Sequence, residues 1–172
     1  MSHYCYLCGH LLTLRLIEGR EREFCESCGW IHYQQWKISA GVRVQKEGKL
    51  LLAQRRIEPW SGCWYLPAGF VEADEPPDQA AVRETHEETG LRVQVKGLAG
   101  LYPYTDDPRG NGIVLLYEAE IVGGEFKSSI ETIQSGFYAP GEIEKMPLAG
   151  LCAQKQVHDW VKGLKTTKDD AA

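Results

Sequence analysis

The stretch Gly69–Leu91, GFVEADEPPDQAAVRETHEETGL, decides how the rest of the chain is read. Pro76 and Pro77 follow the acidic pair Asp74 and Glu75, an acidic N-cap region and then proline, whose missing N–H costs nothing at a helix start. Gly90 is the natural stop, because glycine takes the left-handed conformation without penalty. The spacing predicts a helix of about three to four turns between them. Residues at i, i+3 and i+4 share a helix face, so Glu84, Glu87 and Glu88 form one acidic surface with no lysine among them. Such carboxylates repel one another unless a cation joins them. Clustered hard oxygens are what Mg2+ takes as ligands, together with substrate phosphates and water. A Glu-rich helix face by itself is usually solvated surface, so the positions around it decide.

Those positions carry a resemblance. The pattern resembles the signature of the Nudix hydrolases, G-x5-E-x7-R-E-U-x-E-E-x-G-U, with U a bulky aliphatic. Gly69, Glu75, Arg83, Glu84, Glu87, Glu88, Gly90 and Leu91 match, and Thr85 stands where the first U is expected. The resemblance implies an α/β fold, an α/β/α sandwich with a mixed sheet. It also implies metal-dependent hydrolysis of a nucleoside diphosphate linked to another group. By the same resemblance, Glu84, Glu87 and Glu88 hold Mg2+ (or Mn2+) with the Gly69 carbonyl as a further ligand. Arg83 is expected to anchor the glutamates by ion pairing, with Glu75 as a further partner. Many relatives add a glutamate from a later loop, as base or metal ligand. Its place here, counted back from Phe137, holds Gln134, which takes no proton. Glu131 is the expected substitute, and Glu84 and Glu88 are the other candidates for the base.

Upstream, Cys5 and Cys8 are spaced C-x2-C, and Cys25 and Cys28 repeat the spacing; each pair ends in Cys-Gly. Four thiolates converging on one ion give a closed tetrahedral site, the structural zinc arrangement. Redox pairs and disulfides are the alternatives, but two such pairs without a preceding βαβ pattern fit redox chemistry poorly. The segment between, LLTLRLIEGREREF, reads as two short strands around Glu18-Gly19. It has too little core to fold alone, so the metal is expected to supply its stability. Zinc ribbons also bind nucleic acid. In this one the acids from Glu18 to Glu26 are no fewer than the bases, which points to a structural role. The expected organisation is a zinc ribbon over 1–36, a hydrolase domain over 37–165 and a disordered tail over 166–172.

Composition sets the remaining bounds. The chain has 172 residues, 43% hydrophobic, long enough for one ordinary domain with a small appendage. A net charge of −5 without a basic run argues against broad attraction to nucleic acid or acidic membranes. No stretch approaches the length of a transmembrane helix. MSHYCYLCGH lacks a basic start followed by an apolar run, so no secretory signal is expected. Cys63 and Cys152 are isolated, and the cysteine pattern suits a reducing cytoplasm. A homodimer is compatible with the chain.

The flanks of the glutamate helix must select the substrate. ISAGVRVQ and KLLLAQRR, joined at Glu47-Gly48, read as a hairpin. Arg55 and Arg56 end the second run on opposite faces, so at most one points at a site. Trp60, Trp64 and Tyr65 are either core or a platform for a flat base. Leu91 to Tyr102 is strand-like and runs into the polar loop PYTDDPRGNG, and Ile113 to Val122 is another strand. Phe137 and Tyr138 close a short strand. Leu151 to Leu164 is amphipathic, with Val157, Trp160, Val161 and Leu164 on one side. This order suits a mixed sheet between helices. Trp60, Tyr102 and Tyr104 are the stacking candidates, in loops near the helix, and Arg56 or Arg109 the phosphate candidates. A four-cysteine ribbon followed by Tyr33, Lys37 and Leu66-Pro67-Ala68-Gly69 resembles the Nudix subgroup that cleaves ADP-ribose and FAD. Residues 34–36 depart from that subgroup, reading Gln-Gln-Trp where relatives have Gln-Asn-Pro. The resemblance implies hydrolysis of ADP-ribose or FAD, releasing AMP. NADH pyrophosphatases, another ribbon-bearing family, rank second, because their Ser-Gln-Pro-Trp-Pro-Phe-Pro tract has no match in residues 91–112. A Nudix-based regulator that binds nucleic acid is the rival of another class.

Overall fold

The computed structural model describes residues 3–169, with side chains through residue 164. The chain divides into two compact units, Met1–Gln35 and Trp36–Ala172.

The first unit is an antiparallel sheet of β1 (Thr13–Ile17), β2 (Arg20–Phe24) and β3 (Ile31–His32), in that order. Glu18 and Gly19, at φ 52° and 76°, make the tight turn the sequence marks. Among its described residues only Cys5 and Cys25 are buried. The unit therefore has almost no apolar interior of its own.

The second unit contains β4 (Lys37–Arg43), β5 (Gln45–Lys46), β6 (Lys49–Arg55), β7 (Trp64–Tyr65), β8 (Ala68–Phe70), α1 (Pro77–Thr89), β9 (Leu91–Tyr104), β10 (Gly112–Gly124), β11 (Thr132–Tyr138), α2 (Pro140–Ile143) and α3 (Gly150–Asp169). One sheet has the order β8-β4-β10-β9, the other β11-β6-β5 with β7 paired to β6. The β4–β10 pair is parallel and the other pairs are antiparallel, so the sheet is mixed. Strand alternation builds the layers. Leu50 and Leu52 of β6 pack with Val157 and Trp160 of α3, while Leu51 packs with Ala80 and Ala81 of α1. The result is the α/β/α sandwich.

Several expectations change in detail. The two runs around Glu47-Gly48 do not pair as one hairpin. That turn joins only β5 to β6, while β4 pairs in parallel with β10 from Lys37↔Gly112 to Arg43↔Glu118. A partner so distant in sequence leaves no local signal. In α1, Pro77 opens the helix and Gly90, at φ 80°, ends it, its N–H donating to the His86 carbonyl over 2.8 Å. The acidic pair does not cap it, because Pro76 is the N-cap and Glu75 accepts from the Glu72 N–H and from Arg83 instead. Thr85 is fully buried, and its hydroxyl donates to the Ala81 carbonyl at 2.7 Å. A β-branched residue thus fills the aliphatic position with its polar atom satisfied inside the helix. Strand β9 runs on to Tyr104, so Tyr102 and Tyr104 are strand residues, 5% and 9% exposed, rather than loop residues. Val157, Trp160, Val161 and Leu164 all face the core. The helix α3 continues through Asp169, so residues 166–169 are helical, not a tail, and 170–172 lie outside the described residues. Among the described residues no helix is long and apolar enough to cross a membrane.

Candidate active site

Helix α1 sets three carboxylates along one wall of a cavity of about 470 Å3, within the roughly 300–1,000 Å3 of small-molecule sites. One guanidinium organises the wall. Arg83 Nε donates to both Glu75 oxygens, at 3.2 and 3.0 Å. Its Nη1 donates to Glu84 at 2.7 Å and Glu87 at 3.2 Å, and its Nη2 to the Phe70 carbonyl at 3.0 Å. The Arg83 hydrogen bond holds the Glu75 carboxyl below its usual range.

Glu88 is 3% exposed. One of its oxygens accepts from the Tyr65 hydroxyl, the other from the Ala68 N–H at 3.0 Å. Burial pushes its pKa up to about 8, against the lowering effect of the Tyr65 bond. Burial also raises that of Glu84. Thr132 Oγ1 donates to the Glu88 carbonyl at 2.6 Å, pinning the start of β11 to α1. A Cβ at Gly69 would collide with the Glu84 carboxylate, so only glycine lets this carboxylate reach the β8 backbone. Three carboxylates beside the β8 backbone, with one arginine and no lysine, are a donor set that suits a hard divalent cation.

The opposite wall corrects several sequence candidates. Arg56 turns away from the cavity, donating to the Ser129 carbonyl at 3.3 Å and the Thr132 carbonyl at 3.0 Å. Its neighbour Arg55 lines the cavity, with its guanidinium 5.1 Å from the Tyr65 ring. Alternation limits the pair to one inward residue, and the ties of Arg56 to the segment entering β11 decide which. Trp60 lines the cavity at φ 71°, a backbone region that costs a non-glycine residue about 1–2 kcal/mol. Hydrogen bonds from Gly62 N–H to Arg55 and from Cys63 N–H to Trp60 hold that loop, at 2.9 and 3.0 Å. Tyr104 lines the cavity from its strand, whereas Tyr102 sits in the core and is not part of the lining. Trp64 is core as well.

Arg109 lines the cavity in a bidentate pair with Asp107, Nε–Oδ1 3.0 Å and Nη2–Oδ2 2.7 Å. Glu131 lines it too. Gln134 does not, and donates to Gln54 Oε1 at 2.9 Å. Phe70 escapes sequence reading, and Tyr65 reads there only as core or a base platform, not as a partner of Glu88. Phe70 is 38% exposed, with Lys37 Nζ 5.4 Å and the Arg109 guanidinium 5.6 Å from its ring centre. Tyr65 holds Glu88. Both stand beside or inside the glutamate motif, and their adjacency to it is the signal that could have found them.

In the first unit the four cysteine sulfurs lie within 4.8 Å of one another. Cys5–Cys28 is 3.6 Å and Cys8–Cys25 is 3.4 Å. A tetrahedral ion with sulfur bonds of about 2.3 Å spaces its ligands about 3.8 Å apart. The two turns repeat one another. Gly9 N–H donates to Cys5 and Gly29 N–H to Cys25, at 2.8 and 2.9 Å, with both glycines at positive φ. His3 and His32 pair with Glu23 rather than with the sulfurs. The set could hold zinc.

A family model described as the NUDIX domain matches residues 15–161. An ADP-ribose pyrophosphatase of Methanocaldococcus jannaschii is 36% identical over 120 residues, covering 69% of this chain and 69% of its own length. The NAD-capped RNA hydrolase NudC of Photobacterium profundum is 26% identical over 166 residues, 96% of this chain but 60% of that protein. A crystal structure of a Nudix hydrolase from Nitrosomonas europaea superposes with a TM-score of 0.71 at 35% identity, covering 81% of this chain and 78% of that one.

Proposed function

The chain belongs to the Nudix hydrolases, and from that premise we propose that it hydrolyses the pyrophosphate bond of ADP-ribose or FAD, releasing AMP and the other phosphate. The observation that carries the reading is the shared cavity. The α1 carboxylates, three arginines (Arg55, Arg83 and Arg109) and the aromatic rings of Trp60, Tyr65, Phe70 and Tyr104 all border it. That is what a diphosphate with a flat group at its end requires. The archaeal relative named an ADP-ribose pyrophosphatase supports the same choice.

In this reading Glu84, Glu87 and Glu88, with the Gly69 carbonyl, hold Mg2+ (or Mn2+), which supplies Lewis-acid polarisation of the phosphoryl oxygens and an acidified water. Arg83 keeps the glutamates in place and their mutual repulsion low. Arg55 and Arg109 meet phosphate oxygens through charge-assisted hydrogen bonds. Trp60 and Phe70 offer ring faces to flat groups. Glu131 takes the proton of the attacking water, or serves as a further ligand, with Glu84 and Glu88 as the alternatives. Zinc on Cys5, Cys8, Cys25 and Cys28 is structural, and the protein works in the reducing cytoplasm.

Hydrolysis of NADH is the second reading, favoured by a similarity to a relative named an NAD-capped RNA hydrolase that extends over 96% of the chain and so includes the cysteine unit. A kcat/KM panel over ADP-ribose, FAD, NADH and the common nucleoside triphosphates with Mg2+ tests both. Preference for ADP-ribose or FAD is expected. Preference for NADH would install the second reading, and preference for a triphosphate would defeat both.

A further inference from the structure

One polar side chain in the cavity has no work in anything described so far. Gln156 of α3 is 4% exposed and lines the cavity. Its side-chain amide makes no hydrogen bond to any described residue. The amide is not among the fully buried side-chain atoms that lack a partner, so it meets the open space of the cavity, and a ligand that covers it must pair with it or leave it unsatisfied.

Its surroundings say what that is. Gly150, Cys152, Ala153 and Gln156 of α3, with Ala149 just before the helix, form one wall of the cavity. Small side chains leave a flat wall. Trp60 abuts its upper end, since a Cβ at Gly150 would lie 3.3 Å from the indole ring. Apolar Leu66 and Val114 border the same space. A flat wall, an aromatic ring and an apolar lining suit a planar heterocycle seen edge-on by Gln156. A carboxamide offers a donor beside an acceptor, which pairs with an edge that does the same; the adenine amino group and its neighbouring ring nitrogen form such an edge.

We propose that Gln156 is the base-reading residue of this site, binding the amino edge of adenine through its side-chain amide. The proposal rests on the reading of an adenine nucleotide substrate above and deepens it. Adenine is the part that ADP-ribose, FAD and NADH share, so Gln156 acts whichever group leaves.

The test compares equilibrium binding of AMP with that of purine riboside 5′-monophosphate, which lacks the amino group, by calorimetry on the intact chain with Mg2+. Wild type should bind AMP roughly 10- to 100-fold more tightly, the penalty of leaving a buried amide unpaired. In Gln156→Met, which keeps the volume, AMP should weaken to the level of the analogue while the analogue is unchanged. Equal affinities in wild type would overturn the proposal without any variant having to fold. Equal weakening of both ligands in Gln156→Met would overturn it too, because that marks a packing role. The hydrolysis panel fails independently. A triphosphate preference with AMP selectivity intact defeats the ADP-ribose or FAD reading and leaves Gln156 standing.

Discussion

Glu88 shows how much of the site is set at the level of single residues. It is the most enclosed of the three glutamates, accepting from Tyr65 and Ala68. Its folded pKa, about 8, lies above the ordinary carboxylate value because of burial. A raised acid pKa destabilises the fold above the unfolded value, with the penalty growing until the folded value is passed. Without divalent cation, the melting temperature of the second unit should therefore fall as pH rises from about 5 to about 8. Glu88→Gln should flatten that slope, since glutamine is neutral throughout and the Tyr65 hydroxyl can turn to accept. A wild-type profile that rises over this range would contradict the assignment. Activity follows the charge. Glu87→Gln and Glu88→Gln should each lower kcat by roughly 10²- to 10⁴-fold, the range for losing a positioned acid–base or electrostatic group. Steady-state rates within a few-fold of wild type would move the chemistry elsewhere.

At the scale of elements, the strand end at Arg55 and Arg56 separates binding from scaffolding. Arg55→Ala should raise KM for the diphosphate substrate with little change in melting temperature. Arg56→Ala should instead lower the melting temperature by loosening the contacts with the Ser129 and Thr132 carbonyls, and leave KM near wild type. Reversed behaviour would mean the two side chains had been misassigned. The segment entering β11 makes a second comparison. Glu131 borders the cavity while Gln134 is hydrogen-bonded to Gln54. Glu131→Gln should cost far more in kcat than Gln134→Ala. Small, equal effects measured side by side would leave catalysis to α1 alone.

At the scale of the whole molecule, the two units are stabilised differently. The second has apolar clusters on both sides of its sheets. Among its described residues the first buries only two cysteines, so an ion held by the four cysteines would supply what a core otherwise does. Freshly purified, reduced protein should contain one zinc per chain by metal analysis. In Cys25→Ser, hydrogen exchange should accelerate across residues 3–35 and stay slow in the strands of the second unit. Metal-free protein with unchanged protection would show that the cysteines are not a structural site.

What the sequence determined by itself was whatever rests on neighbours along the chain. The extent of α1 follows from Pro77 and Gly90, the cysteine turns from C-x2-C-G, the tight turn at Glu18-Gly19 from its glycine, and the buried face of α3 from helical spacing. The glutamate cluster belongs to this class, because three carboxylates on one helix share a face wherever the helix lies. Only the tertiary structure decided what depends on distant partners. Parallel pairing of β4 with β10 divides an apparent hairpin between two sheets. Extension of β9 puts Tyr102 in the core and leaves Tyr104 at the cavity. Contacts with Ser129 and Thr132 turn Arg56 outward and leave Arg55 inward. Gln156 lies within an ordinary amphipathic helix, and nothing local to it signals a cavity. Which strands and loops a helix face meets is fixed by long-range packing, and periodicity along the chain carries no record of it.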